Sequence, residues 1–236
     1  MKAMLLAAGR GERMRPLTDH TPKPLLKAGG KPLIVWHLEK LAAAGFREVV
    51  INHAWLGEQI PEALGDGSAF GLRLQYSAEA EALETAGGIA RALPLLTAGE
   101  PANAPFAVIS SDVWSDAGYD LLIAAAKRLD GNDADCWCLM VDNPPHHPRG
   151  DFLLDDGRLH LLPNAGTTAT GVTYAGIGVF SPAMFSHMAD GMRAPLRPLL
   201  ELAIETGHAL GTRHTGRWFD IGTPERLAEL DRLLAA

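Results

Sequence analysis

Cysteine is nearly absent from this chain: two in 236 residues, Cys136 and Cys138. Two thiols cannot build a disulfide framework, and neither C-x-x-C spacing nor the further ligands of a zinc site accompany them. One residue apart in a strand-like run at 135–141, they share a face by alternation and read as small buried hydrophobes. Aromatic residues are scarce at 6%, and the five tryptophans form no stacking pattern for nucleic acid. No run of 18 apolar residues occurs, so no helix is expected to cross a membrane. The apolar stretch at 4–8 is too short for a signal peptide and passes into Gly9-Arg10-Gly11-Glu12-Arg13 without a cleavage site, so a cytoplasmic address is expected. Internal repeats, low-complexity tracts and a hexapeptide β-helix period are missing as well.

What is present is globular: 47% hydrophobic residues and 21% charged ones. The length suits one sizeable domain, read here as residues 1–236 in two halves, 1–143 and 144–236. The formal charge of −7 hides an asymmetry. Lys2, Arg10, Arg13, Arg15, Lys23, Lys27 and Lys31 face only Glu12 and Asp19 in the first 31 residues. A short basic segment on an acidic protein points to a local anion site for a small phosphorylated ligand, not to a nucleic-acid surface.

Strand-like and helical runs alternate through the first two thirds, which predicts a mostly parallel, doubly wound sheet flanked by helices. Strands are expected at 4–8, 48–52, 72–76, 106–110 and 135–141, with helices at 33–44, 57–64, 86–96 and 121–129. Beyond Pro144 the pattern shortens to strand pieces at 151–154, 158–161 and 172–180, read as a small β-rich lid packed on the sheet. Helices at 182–188 and 198–206, a strand at 209–213 and a helix at 224–234 follow.

The loop after the first strand, Ala8-Gly9-Arg10-Gly11-Glu12-Arg13-Met14, has G-x-G spacing, but Met14 breaks the dinucleotide fingerprint and no P-loop is present. What remains is a loop whose backbone N–H groups can approach phosphate. Further on, Thr21-Pro22-Lys23-Pro24-Leu25 holds a lysine between two prolines, each fixing its own φ and restricting the residue before it. The combined pattern G-x-G-x-R-x-x-P-L-T-x-x-x-P-K-P resembles the signature of sugar-1-phosphate nucleotidylyltransferases. The segments Glu81-Ala82-Leu83-Glu84-Thr85-Ala86-Gly87-Gly88, Ser110-Ser111-Asp112 and Trp218-Phe219-Asp220-Ile221-Gly222-Thr223-Pro224 resemble three further segments of that family.

The resemblance implies attack by a sugar phosphate oxygen on the α-phosphorus of a nucleoside triphosphate, with release of pyrophosphate. The nucleophile is already anionic, so positioning and electrostatics carry the chemistry. Arg13 and Lys23 are the implied catalytic cations. Ala8, Gly9, Gly11, Glu12, Glu81, Ala86 and Gly87 complete the implied nucleotide site, with Glu81 accepting from uracil N3–H and the N–H groups near Ala86 and Gly87 reading a carbonyl. Asp112 and Asp220 would hold Mg²⁺, a hard cation that takes one or two carboxylates plus phosphates. Ser110, Asp151, Asn164 and Gly176 are the implied sugar contacts. Ser110 stands where the family has Asn, and the family's Glu-Lys pair is absent near 161–164, leaving Arg149 and Arg193 as candidate replacements. The adjacent His146 and His147 read as loop residues. UTP and an N-acetylated hexose 1-phosphate are the expected substrates. A guanylyltransferase of mannose 1-phosphate and a non-catalytic nucleotide-sugar sensor are the alternatives. Neither a nucleic acid nor a membrane is expected as a partner, and the chain is read as monomer or dimer.

Overall fold

The computed structural model describes residues 1–132, 134–163 and 169–235. Strand β1 (Ala3–Leu6) is followed by a ribbon of β2 (Lys27–Ala28) and β3 (Lys31–Pro32), then α1 (Leu33–Ala43), β4 (Glu48–His53), α2 (Gln59–Leu64) and β5 (Arg73–Ala78). Next come α3 (Glu84–Thr97), β6 (Phe106–Ser110), β7 (Val113–Ser115), α4 (Asp120–Asn132) and β8 (Cys136–Val141). The later chain carries β9 (Phe152–Asp155), β10 (Arg158–Leu161), β11 (Thr173–Phe180), α5 (Arg197–Glu205), β12 (Ala209–His214), β13 (Trp218–Asp220) and α6 (Pro224–Ala235).

Nine of these strands form one sheet in the order β5-β4-β1-β6-β11-β8-β12-β10-β9. Only β10 and β11 run against the common direction. The short strands β9 and β10, expected as part of a lid, extend the sheet at the edge beyond β12. The run expected as a helix at 182–188 is a single 3₁₀ turn, Pro182–Phe185, started by the Ser181 hydroxyl accepting from the Ala183 N–H. Helix α1 stops at Gly45, whose φ of 92° continues no helix, and the Phe46 N–H returns to the Leu41 carbonyl.

Alternation along the strands covers both faces of the sheet. Leu5, Ile51, Ile109 and Leu139 pack against Ile34, Leu38 and Leu122 of α1 and α4. Met4, Val50, Val108 and Met140 pack against Ile89 of α3 and Leu200 of α5. Cys136 and Cys138 belong to this second face, buried and unbridged, as their spacing predicted. Strands buried on both sides read as continuous apolar runs, which is why they were visible in the sequence.

A third apolar cluster ties the chain ends together. Met14, Leu26 and Leu33 from the N-terminal region meet Trp114 of β7 and Ile221 and Leu230 near the C-terminus. Strand β1 lies between β4 and β6, so the winding reverses at β1 and opens a crevice outside the carboxyl ends of β1 and β6. Open α/β sheets bind ligands at such a switch point.

Candidate active site

The loop after β1 is held open by its neighbours. The Ala7 N–H donates to Asn52 Oδ1 at 2.9 Å, and Asn52 Nδ2 donates to the buried Glu79 at 2.6 Å. The other oxygen of Glu79 accepts the Leu83 N–H at 2.9 Å, so one buried chain of hydrogen bonds joins the glycine loop to the loop before α3. Gly11 has φ 68°, and a Cβ there would lie 3.0 Å from Thr18 and 3.3 Å from Lys23. Glycine is therefore required at this position both for its φ and for the close approach of Lys23. Gly9 faces open space, with no atom within 4 Å of where its Cβ would be.

Buried Met14 anchors the 3₁₀ turn Glu12–Met14 in the third cluster and leaves Arg13 exposed beside it. Lys23, buried between Pro22 and Pro24, reaches Asp112 Oδ2 at 2.6 Å. Ser111 fixes the chain before Asp112, its N–H and its hydroxyl both donating to the Leu6 carbonyl at 3.1 and 2.5 Å. The strands β7 and β13 pair antiparallel, placing Asp220 opposite Val113, and the Ile221 N–H donates to the Asp112 carbonyl at 2.8 Å. Two acids more than 100 residues apart in sequence thus become neighbours. Asp220 Oδ2 pairs with Arg226 at 2.7 Å and lies 3.3 Å from His146. Arg13 closes the group: its Nη2 is 3.3 Å from where Gly222 would carry a Cβ.

The cavity at the switch point, about 210 Å³, is lined by Ala8, Gly9, Lys23, Thr85, Ser110 and Asp112 among others. Beside it Glu81 shares a second space of about 400 Å³ with Ala8, Arg10 and Trp55, the Arg10 guanidinium lying 4.3 Å from the Trp55 ring centroid. A third, about 380 Å³, brings together Ser110, Asp151, Phe152, Tyr174, Gly176 and Arg197. Ser110 and Thr85 line both the first and the third. Gly176 has φ 73° at an irregularity of β11, and a Cβ on it would come within 3.1 Å of the Ser110 hydroxyl.

Several expectations need correction. The N–H groups of Ala86 and Gly87 both donate to the Ala194 carbonyl, at 3.0 and 3.1 Å, so neither is free to read a base. A Cβ on Gly87 would lie 2.2 Å from the Met192 carbonyl oxygen, so that glycine serves the close packing of this segment. The Glu12 carboxylate is exposed and paired with Arg10 at 2.9 Å rather than aimed into the cavity. Of the candidate replacement cations, Arg149 donates to the Pro163 carbonyl at 2.7 Å and Arg193 pairs with Glu84 at 3.0 Å. Asn164 lies outside the described residues. His146 and His147 face Asp220 and Asp151, a pairing that loop composition does not reveal. Asn52, Glu79 and Arg226 were missed; each acts through a partner far away in the sequence or on a later helix, so no local motif marks it.

Asp112 and Asp220 are hard oxygen donors on adjoining backbone, and each is countered by a cation. Among the described residues no group of three or more His, Cys, Asp or Glu side chains forms a metal cage. The donor set therefore fits an ion that keeps only one or two protein carboxylates and completes its shell with phosphates, as Mg²⁺ does.

A doubly wound sheet with a glycine loop, a buried lysine and two aspartates on adjoining backbone at its switch point fits a nucleotide-handling α/β enzyme of the phosphoryl-transfer kind. The chain belongs to the nucleotidyl transferase family, whose model matches residues 2–236. It is 51% identical over 239 residues to an N-acetylmuramate alpha-1-phosphate uridylyltransferase of Neisseria meningitidis, covering 100% of this chain and 99% of that protein. A protein of the same name from Caulobacter vibrioides is 35% identical, with 99% and 97% covered. The mannose-1-phosphate guanylyltransferase catalytic subunit beta of Danio rerio is 30% identical over 95% of this chain and 62% of its own length. Among solved structures, a Bacillus anthracis protein in complex with a sucrose superposes with TM-score 0.85 at 19% identity over 100% of this chain and 95% of its own. HddC from Yersinia pseudotuberculosis complexed with GMP-PN gives 0.75 at 21%, covering 98% of each. These last two establish the fold. Among the described residues no helix is long and apolar enough to cross a membrane.

Proposed function

We propose that this chain transfers the uridylyl group of UTP to an N-acetylated hexose 1-phosphate, N-acetylmuramic acid 1-phosphate being the best match, with release of pyrophosphate. The observation that carries the reaction type is the Lys23–Asp112 ion pair beside the glycine loop, with Asp220 on the backbone adjoining Asp112 and the Arg13 fork against Gly222. The full-length likeness to two N-acetylmuramate alpha-1-phosphate uridylyltransferases supports the choice of sugar and base. A phosphate oxygen of the sugar attacks the α-phosphorus, the bond from that phosphorus to the pyrophosphate oxygen breaks, and the leaving group departs as an anion. No general base is needed. Lys23 and Arg13 hold the triphosphate and stabilise the charge that builds on the transferring group. Asp112 and Asp220 are the residues that would hold Mg²⁺, which when bound neutralises phosphate charge.

In this reading residues 1–143 bind the nucleotide around Ala8, Gly9 and Gly11, and Glu81 accepts from the uracil N3–H in the space it shares with Trp55. Residues 144–236 supply most of the sugar wall through Asp151 and Gly176, with Ser110 at the junction. The product is a nucleotide sugar for bacterial cell-wall recycling, made in the cytoplasm where nucleoside triphosphates are held. The test follows pyrophosphate release with UTP, GTP, CTP, ATP and dTTP against N-acetylmuramic acid, N-acetylglucosamine, glucose and mannose 1-phosphates. The proposal predicts the highest kcat/KM for UTP with N-acetylmuramic acid 1-phosphate. A preference for GTP and mannose 1-phosphate would move the chain to the guanylyltransferase reading, and tight nucleotide binding without any turnover would make it a sensor.

A further inference from the structure

We propose that Arg197 is the residue that selects a sugar bearing a carboxylate. The inference rests on the proposed function. N-acetylmuramic acid differs from N-acetylglucosamine by a 3-O-lactyl group, which adds one carboxylate and one methyl. An enzyme that prefers the former must therefore place a cation and an apolar patch within reach of the bound sugar.

The sugar cavity holds both. Arg197 is the cation among the described residues that line it, and Pro195, Leu196, Leu200 and Phe152 stand around it. The guanidinium carbon lies over the Phe152 ring, 5.4 Å from its centroid. Asp151, an implied sugar contact, is already engaged. Its Oδ2 accepts the Tyr174 N–H at 2.9 Å, and its Oδ1 lies 3.1 Å from His147 Nε2 and 3.5 Å from Arg197 Nη1. The geometry makes Asp151 a positioning residue that aims Arg197 from one side.

On the other side Arg197 Nε donates to Glu201 Oε1 at 2.8 Å, one helical turn on. That is its only hydrogen bond among the described residues, so most of the five-donor fork is unused. Exposed pairs at i and i+4 hold only weakly. A substrate carboxylate displaces Glu201 at little cost and gains the bidentate geometry that a guanidinium offers. Arg149 and Arg193, the cations considered from sequence, make their contacts at Pro163 and Glu84 and do not line this cavity.

The experiment compares kcat/KM for N-acetylmuramic acid 1-phosphate with that for N-acetylglucosamine 1-phosphate, both with UTP. In Arg197→Met the ratio is expected to fall about ten- to hundredfold, the range expected for a lost charge-assisted hydrogen bond. The loss should fall on KM more than on kcat, and Arg197→Lys should recover part of it. Glu201→Gln, which removes the competing charge, should raise the ratio about twofold. A ratio unmoved in both Arg197→Met and Glu201→Gln overturns the assignment even if both activities fall together, and the uridylyltransferase reading then stands without it. Wild-type protein that turns over neither sugar with UTP overturns that reading and this assignment with it.

Discussion

Lys23 is a buried cation whose position is over-determined. Prolines on both sides stiffen its backbone, Gly11 packs against its stem, and Asp112 meets its ammonium at 2.6 Å. Asp112 keeps 41% of its side-chain surface in water, so removing the lysine does not strand a buried charge. Lys23→Ala should therefore fold, retain measurable UTP binding by calorimetry, and lose about 10²–10³-fold in kcat, the scale of one lost transition-state contact. Activity within tenfold of wild type would remove Lys23 from the catalytic cradle. The same residue shows what a sequence can disclose. Lys23, Arg13 and Asp112 sit in short segments that resemble the motifs of a known family, and the resemblance implies their chemistry. Arg226, Asn52 and Glu79 carry no such mark, because each is defined by one partner that only the folded chain supplies. Ala86 and Gly87 illustrate the reverse error. Their segment was recognised, but the Ala194 carbonyl that occupies their N–H groups lies more than 100 residues further on.

The element that aligns the two acids is the three-residue pair β7 and β13, too short to leave a periodic signal in either segment. Its support comes from α1. His37, fully buried, contacts the Val113 carbonyl through Nε2 at 2.9 Å and the Tyr119 hydroxyl through Nδ1 at 2.6 Å. A carbonyl can only accept, so Nε2 carries the proton and Nδ1 of the neutral ring accepts from Tyr119. Burial lowers the His37 pKa from 6.5 to about 4, with Lys40 adding to the effect and the Val113 carbonyl and Asp112 opposing it. The unfolded chain therefore binds this proton between pH 6.5 and about 4 while the folded chain does not. The stability His37 confers is complete above pH 6.5 and is lost as pH falls toward 4, by about 3 kcal/mol over that window. Urea titrations of wild type and His37→Gln should differ by that amount in the stability lost between pH 6.5 and 4, the variant being flatter. Parallel curves would show that His37 does not titrate as its burial requires. The long strands β1, β4, β6, β8 and β11 were legible for the opposite reason: two covered faces force continuous apolar runs.

At the scale of the molecule, the sheet reverses its winding at β1, and the third apolar cluster folds α6 back onto the β2–β3 ribbon. The first brings the glycine loop beside Asp112, and the second carries Asp220 and Arg226 to the backbone adjoining Asp112. The sequence indicated a doubly wound sheet but not the strand order or the cluster that joins the chain ends, because both depend on which hydrophobic faces find each other. The account depends on these two long-range arrangements producing one shared site for a triphosphate and a divalent ion. The most direct test is titration of Mn²⁺, read by electron paramagnetic resonance, into protein saturated with a non-hydrolysable UTP analogue, for wild type, Asp112→Asn and Asp220→Asn. The account predicts a bound ion in wild type and affinity weakened at least about tenfold in each variant, since each removes one of two protein ligands. Wild-type Mn²⁺ affinity in either variant would contradict it.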